Sequence, residues 1–171
     1  MALIYLGFDQ CNENPAEMKK VQELLLRQKP HVKVYNSDGI LERLVSREVA
    51  VHHNWNGYAM RARMQYPALK YAFPVEGVLS WVDNLVVPTG AKNYANAIKF
   101  IEFMLQPENA AMQSNNNRYA NGIKGSEAFM DKDLKTAPEL NVPEGYKTVF
   151  LETCSEKAIR LYGKVWTRLK Q

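Results

Sequence analysis

The segment Gly77–Pro88 constrains the fold of this chain more than any other, because it is a long apolar run that contains a tryptophan and an aspartate. Its β-branched residues and its glycine and proline boundaries predict a strand over Val78–Val87. Side chains alternate along a strand, so Trp81 and Asp83 are expected on the same face. A carboxylate buried on that face needs a cation, which either a nearby lysine or arginine or an organic ammonium ligand can supply.

Helical periodicity is clearest after Asn93, where apolar residues recur at helical spacing as far as Leu105. Another helix is predicted to begin at Pro15 behind an Asn14 cap, and the last helix to begin near Ser155. The remaining predictions are helices over Ile40–Glu48, Tyr58–Tyr66 and Glu108–Gln113, strands over Val32–Tyr35, Val49–Val51 and Leu69–Phe73, a turn over Ser114–Asn117, and a loop over Asp131–Tyr146. Helices that alternate with short strands predict an α/β fold, and the length of 171 residues predicts a single domain over residues 1–171.

Charge and composition argue against several classes of protein. The net charge is +4, but the lysines and arginines are scattered along the chain, which is not typical of nucleic-acid binders. No stretch approaches the roughly 20 apolar residues of a membrane helix. The first residues form too short an apolar run for a signal peptide and lack its basic segment. Cys11 and Cys154 are too few for a disulfide scaffold, and they can either form one bridge or remain free thiols.

The sequence also lacks the patterns that enzymes need. The candidates for a nucleophile, a base or a metal ligand are His52, His53, Cys11, Cys154, Glu152 and Asp83. Adjacent histidines on an extended backbone point to opposite sides, which is poor geometry for a metal site. There is no glycine-rich phosphate loop and no patterned set of cysteines and histidines. We therefore predict no enzyme activity, no catalytic residue, no cofactor and no metal site.

Several short motifs, taken in their order along the chain, resemble one protein family. They are Asn36–Asp38, Trp55–Gly57, Pro74–Pro88, Gly90–Asn93, Lys99–Glu108 and Trp166–Lys170. This series resembles the periplasmic polyamine-binding proteins, the spermidine/putrescine solute-binding subunits of ABC importers. The resemblance implies a type II clamp whose two lobes close around an extended polyamine. The chain is then most of the C-terminal lobe, a short-stranded mixed sheet flanked by helices.

The resemblance also implies a ligand site, carried over residue by residue. Trp55 and Trp81 match the aromatic walls on which the methylene groups of the polyamine pack, and Asp83 matches the carboxylate that binds an amine. Tyr119 aligns with a tyrosine of the family pocket, and Glu152 falls where the family has a polar contact ahead of the last helix. Cation–π attraction to such aromatic walls contributes roughly 2 kcal/mol when the cation is desolvated.

The departures from the family are equally specific. Some putrescine-specific relatives have an aspartate three residues after the first tryptophan, whereas this chain has Tyr58, which leaves the ligand length open. The first residue aligns inside the second lobe, so we expect the first lobe and its acidic residues to be absent. The chain alone is then expected to bind polyamine weakly or not at all, and to self-associate through uncovered apolar surface.

Two alternatives to a polyamine-binding component stay open at this stage. The chain can be a truncated lobe without a ligand of its own, or it can bind another cationic or amino compound such as an opine or an amino acid. The resemblance implies ABC permease subunits as partners and the periplasm as the location.

Overall fold

The computed structural model describes all residues from Met1 to Gln171. Its α-helices are α1 (Ala2–Tyr5), α2 (Pro15–Gln28), α3 (Ile40–Val45), α4 (Asn56–Gln65), α5 (Tyr94–Met104), α6 (Pro107–Asn117), α7 (Lys132–Lys135) and α8 (Glu156–Lys170). Two 3-10 helices span Lys29–His31 and Ser126–Phe129, and the strands are β1 (Val78–Ser80) and β2 (Thr148–Phe150). The predicted α/β class is confirmed. None of these helices has the length and apolar character needed to cross a membrane.

The chain folds into two compact units. Unit 1 comprises Met1–Asn36, Phe73–Val82 and Gly145–Gln171, and unit 2 comprises Ser37–Ala72 and Asp83–Glu144. That residues 1–171 form one domain stays a prediction.

Unit 1 is built on the pair α2 and α8. The α2 helix begins at Pro15 because the Asn14 side chain accepts the backbone N–H of Ala16 at 2.9 Å. The α8 helix begins after Ser155, whose hydroxyl accepts the N–H of Ala158 at 3.2 Å, so both predicted starts are confirmed. The buried core of this pair consists of Leu3, Met18, Val21 and Val165.

A disulfide bond between Cys11 and Cys154 ties the segment before α2 to the segment before α8. Their Cα atoms lie 5.0 Å apart, and 143 positions separate the two residues in the sequence. Of the two states that the sequence left open, the bridged one is therefore present.

The sheet of unit 1 is much smaller than predicted. The strands β1 and β2 pair in parallel, with Val78 opposite Thr148 and Ser80 opposite Phe150. The predicted continuation of β1 to Val87 is wrong. Only three residues of β2 pair with β1, and no other strand pairs with the residues that follow Ser80. Trp81 and Asp83 therefore follow the strand, and the argument that strand alternation puts them on one face does not apply. The predicted strands over Val32–Tyr35, Val49–Val51 and Leu69–Phe73 are wrong for the same lack of a partner.

Unit 2 is largely helical. The helices α3 and α4 pack together around Ile40, Leu44 and Ala62, and a second cluster joins Met60 to Leu134 and Ala137. The predicted turn over Ser114–Asn117 is wrong, because α6 continues through these residues to Asn117. The prediction of a loop over Asp131–Tyr146 is wrong for Lys132–Lys135, which form α7. The residues after α7 lead to β2 without a further helix or strand.

The end of α6 has a specific cause. Arg118 adopts the left-handed conformation, with φ of 65°, and so turns the chain out of the helix. Its guanidinium group lies 3.0 Å from a carboxylate oxygen of Asp131 and 3.2 Å from one of Asp133. These ion pairs hold the chain reversal that leads from α6 to Tyr119.

Candidate functional site

Aromatic and basic side chains lie next to one another at the start of α4 in unit 2. Trp55 is the last residue before the helix and is 39% exposed. Its ring centroid lies 5.9 Å from that of Tyr58, with the planes tilted by 42°. The guanidinium carbon of Arg61 lies 4.1 Å from the centroid of the Tyr58 ring. A spacing of three residues makes Tyr58 a neighbour of both Trp55 and Arg61 on the helix surface.

Tyr119 lies against the same turn of α4. Its ring fills the space beside the Gly57 Cα, where a Cβ atom would come within 2.5 Å of the Tyr119 Cε2 atom. The backbone N–H of Tyr119 donates to the Asn117 side chain at 3.1 Å. We call the group formed by Trp55, Tyr58, Arg61 and Tyr119 the α4 cluster.

The loop that carries Tyr119 is fixed by a network centred on Asn121. The Asn121 amide donates to the Ser114 hydroxyl at 2.8 Å, and its carbonyl oxygen accepts the Ser126 hydroxyl at 2.9 Å. The same oxygen accepts the backbone N–H of Ile123 at 2.9 Å. Ser114 and Ser126 are both buried. Because both ends of the Asn121 amide are bonded, the network fixes the loop, and with it Tyr119, without a strand.

Asp83, a further predicted site residue, acts electrostatically on Tyr119. Burial is the largest cause of a raised pKa at the Tyr119 phenol. The charge of Arg61 acts in the lowering direction, whereas Tyr58 and the carboxylate of Asp83 act in the raising direction. Asp83 therefore lies within electrostatic range of Tyr119. Three of the five predicted site residues, Trp55, Asp83 and Tyr119, belong to this part of unit 2.

A buried ion pair holds the helix that presents the α4 cluster. The guanidinium group of Arg63 donates to both carboxylate oxygens of Glu139, at 2.6 and 2.9 Å, and the Glu139 side chain is 1% exposed. The hydrogen bonds to this carboxylate raise the pKa of Arg63. The Asn56 amide donates to the backbone oxygen of Glu139 at 3.4 Å. The pair therefore fixes the first turns of α4 to the segment after α7.

Two buried polar atoms near Trp55 and Tyr58 in the sequence have no hydrogen-bond partner. They are the Nε atom of Arg61 and the Oδ1 atom of Asn54. Sequence reasoning missed Arg61, although the three-residue spacing from Trp55 through Tyr58 to Arg61 was a signal for it. No group of three or more histidine, cysteine, aspartate or glutamate side chains has the arrangement of a metal site.

The other two predicted site residues, Trp81 and Glu152, belong to unit 1. Trp81 directly follows β1 and is 38% exposed. Glu152 follows β2, and its backbone N–H donates to the Gln10 side chain at 3.4 Å. Glu152 also borders an open, mainly apolar cavity of about 450 Å³, together with Leu79, Leu151, Cys154, Tyr162 and Trp166. That Trp55, Trp81 and Asp83 converge on one surface stays a prediction, as do the ligand-binding roles of all five residues.

Residues 1–142 match the family of bacterial extracellular solute-binding proteins, and the chain belongs to that family. The family predicted from the motifs is thereby confirmed, and it is a family of solute-binding proteins, not a class of enzymes.

Curated relatives carry more specific names. The chain is 31% identical to the putrescine/agmatine-binding protein of Pseudomonas aeruginosa over 178 residues, which cover 99% of this chain and 48% of the relative. It is 38% identical over 110 residues to the spermidine/putrescine-binding periplasmic protein 1 of Haemophilus influenzae, covering 64% of this chain and 31% of that protein. Identity to the spermidine/putrescine-binding periplasmic protein of Escherichia coli is 34% over 108 residues, or 63% and 31% of the two chains. This chain therefore spans about half, or less, of the length of these relatives.

Proposed function

We propose that this chain contributes to the substrate-binding component of an ABC importer for polyamines such as putrescine and spermidine. The observation that carries the proposal is the α4 cluster, where the rings of Trp55 and Tyr58 lie 5.9 Å apart and the neighbouring Tyr119 phenol is within electrostatic range of the Asp83 carboxylate. Family membership and the polyamine-binding names of the relatives support it. ABC permease subunits are the proposed partners.

The chemistry of the α4 cluster suits an alkyl ammonium ion. The methylene groups of the ligand would pack on the ring of Trp55, which also attracts its charge by roughly 2 kcal/mol when water is excluded. The exposed carboxylate of Asp83 would accept charge-assisted hydrogen bonds from the ammonium group. We propose that Trp81 adds a further aromatic surface and Glu152 a further polar contact.

The periplasm is the proposed location. Relatives bear the word periplasmic in their names. The bridge between Cys11 and Cys154 suits an oxidising compartment, because thiols are kept reduced in the cytosol.

The three tryptophans of the chain offer a direct test by nuclear magnetic resonance. Putrescine and spermidine are titrated to millimolar concentration while the three indole N–H signals are followed. We expect the signals of Trp55 and Trp81 to move. A matched titration with butane-1,4-diol, which lacks charge, is expected to move none of them. Because the chain alone is expected to bind weakly or not at all, the titration is repeated with the first lobe of a relative added, and unchanged signals of Trp55 and Trp81 in that mixture contradict the proposal.

Self-association is also proposed, on the basis of exposed apolar side chains in unit 2. The α5 helix has no buried residue, and Phe100 and Phe103 on it are 56% and 58% exposed. Met112 on α6 is exposed as well. Exposed apolar side chains on neighbouring positions of a helix, such as Phe100 and Phe103, favour association. Sedimentation equilibrium is expected to give a mass above that of one chain, and the Phe100→Ser/Phe103→Ser variant a monomer.

A further inference from the structure

The outer face of α8 carries an unbalanced positive charge. The helix contains five basic residues and one acidic residue, so its net charge of +4 equals that of the whole chain. Basic residues occur elsewhere as well, but acidic residues balance them there. Among the cations of α8, Lys157 alone pairs with an acid from outside the helix, Glu13 at 3.2 Å. We propose that this face of α8 binds the anionic surface of a lipid membrane.

Three of the cations form a row along the helix. Arg160, Lys164 and Arg168 follow one another at intervals of four residues, or about 6 Å along the helix axis. All three are exposed, whereas Val165 and Leu169, on another side of the helix, are buried. The row of cations therefore faces away from the core of unit 1.

The row is only weakly neutralised within the chain. Arg160 forms an ion pair with Glu156 at 3.1 Å, but the two side chains are 69% and 87% exposed. Such exposed pairs contribute little to stability, so they are easily exchanged for another partner. Lys164 has no acidic partner, and Arg168 donates a hydrogen bond to the uncharged side chain of Gln171 at 3.1 Å. The charge of the row is therefore available to an anionic surface.

An open depression of about 540 Å³ lies along the same row. The residues that line it belong to α8 or directly follow it: Arg160, Gly163, Lys164, Thr167, Arg168 and Gln171. Nothing lies within 4 Å of the place that a Cβ atom at Gly163 would take. A glycine inside a helix destabilises it, and no contact within the chain accounts for this one. The space beside Gly163 would let a lipid phosphate group approach the cations of the row.

Two further features of α8 favour a membrane over a protein partner. Helical spacing puts Ile159 and Trp166 on one flank of the exposed face, and they are 55% and 43% exposed. Tryptophan is enriched at the interface between a membrane and water. Charged residues are depleted at the centre of protein–protein interfaces, whereas here the cations run along the middle of the face.

Binding of this kind is electrostatic. The apolar side of α8 is held in the core of unit 1, so the helix is expected to lie on the headgroups without entering the acyl chains. Each basic residue close to an anionic surface strengthens binding by about fivefold, and the attraction falls off within a Debye length. Such weak attraction would keep the chain near the membrane that holds the proposed permease partners. It goes beyond the proposed function, because it does not depend on the ligand.

Co-sedimentation of the full chain with lipid vesicles tests the proposal. Vesicles of equal parts phosphatidylglycerol and phosphatidylcholine are compared with vesicles of phosphatidylcholine alone. We expect binding to the anionic vesicles at low salt, none to the neutral vesicles, and release at about 1 M salt, where the Debye length is roughly 3 Å. Equal binding to both kinds of vesicle would overturn the proposal, because exposed apolar side chains such as Phe100 and Phe103 would then explain it.

Variants locate the binding surface on the chain. Lys164→Gln/Arg168→Gln removes two charges from the row and is expected to bind anionic vesicles about twenty-five-fold less tightly, which is about fivefold for each charge. Lys92→Gln/Lys99→Gln removes the same charge from exposed positions of unit 2 and is expected to bind like the unmodified chain. Circular dichroism verifies that both variants are folded. Equal losses in the two variants would mean that net charge, and not α8, attracts the chain, and the proposal would be wrong.

A soluble acidic polypeptide separates the two kinds of anionic partner. Poly-glutamate is offered to the chain in competition with the anionic vesicles, at matched concentrations of negative charge. We expect the vesicles to retain the chain, because their surface also accommodates Trp166. If poly-glutamate releases the chain from the vesicles, the row serves an acidic protein and the proposal is wrong. Failure to bind anionic vesicles at low salt also overturns it, and leaves the proposed polyamine function untouched.

Discussion

The Tyr119 ring occupies the space that a side chain at Gly57 would need. A Cβ atom at position 57 would lie 2.5 Å from Cε2 and 2.6 Å from Cζ of Tyr119, well inside van der Waals contact. The absence of a side chain at the first turn of α4 thus lets a residue from the loop after α6 reach the α4 cluster. Two segments more than fifty positions apart meet through this one close approach.

Gly57→Ala is therefore expected to destabilise the chain and to displace the Tyr119 ring. Overpacking of this kind costs about 1–3 kcal/mol in the free energy of unfolding. Chemical denaturation measures that loss. In the Tyr119→Ala background the same substitution should cost far less, because the ring that it collides with is gone.

Gly122→Ala is the matched control. Nothing lies within 4 Å of a Cβ atom at Gly122, and its φ lies outside the left-handed region. Alanine there restricts the unfolded chain and should be neutral or stabilising by up to about 1 kcal/mol. Equal losses at Gly57 and Gly122 would show that the Tyr119 contact is not the cause.

The buried carboxylate of Glu139 gives the second prediction. Glu139→Gln leaves the Arg63 guanidinium group without its counter-charge, and breaking a buried pair costs about 3–5 kcal/mol. The comparison is Asp133→Asn, which breaks an ion pair with Arg118 whose acid is 53% exposed and which should cost at most about 1 kcal/mol. A loss at Glu139 no larger than that at Asp133 would contradict the structural role of the pair.

Local signals in the sequence were sufficient for most helices. Asn14, Pro15 and Ser155 act on backbone groups within a few positions of themselves, so the starts of α2 and α8 could be predicted without knowledge of the rest of the fold. Strands require a partner elsewhere in the chain. The run after Ser80 has the composition of a strand but no neighbouring ladder, and composition alone does not reveal that.

The same distinction between local signals and distant contacts holds for the residues of the candidate site. Trp55 and Asp83 could be predicted from the resemblance to a family because each lies in a short motif, and Tyr119 could be predicted because it aligns with a tyrosine of the family pocket. Glu139 could not, because it lies in a segment rich in turn-forming residues and its partner Arg63 is 76 positions away. Arg61 has no counterpart in the motifs, and only the helical spacing from Trp55 pointed to it.

The third prediction concerns acid stability. Glu13 accepts a hydrogen bond from the Ser155 hydroxyl that caps α8, and this bond, followed by one with Lys157, lowers the pKa of Glu13 below its ordinary value of 4.5. A depressed pKa means that the contribution to stability is present above pH 4.5 and is lost as the pH falls through the lower, folded-state pKa. In the Glu13→Gln variant, the free energy of unfolding should therefore depend less steeply on pH below pH 4.5. A curve of unchanged slope would contradict the role of Glu13.

The fourth prediction concerns the bridge between Cys11 and Cys154. Reduction, or the Cys11→Ser/Cys154→Ser variant, opens a loop that spans most of the chain and should lower the free energy of unfolding by about 2–5 kcal/mol. Thermal unfolding with and without a reductant measures the change. The double variant is the control for the reductant, since it should not respond to it. If oxidised and reduced chains unfold at the same temperature, the bridge does not stabilise the fold.

The last prediction ranks the candidate ligand-binding residues. Asp83→Asn is expected to weaken diamine binding by about tenfold to a hundredfold, because charge-assisted hydrogen bonds contribute roughly 1.5–3 kcal/mol. Glu152→Gln should weaken it less, and Glu144→Gln, an exposed residue of unit 2 outside the α4 cluster, should not weaken it.

Trp81→Ala should weaken binding through lost packing and cation–π attraction, with a smaller dependence on salt than the change at Asp83. Salt screens the interaction of full charges at an exposed site, whereas contact between methylene groups and a ring is insensitive to it. Titrations at low and high salt separate the two contributions. Equal and negligible effects of the changes at Asp83, Glu152 and Trp81 would mean that the ligand binds elsewhere on the chain.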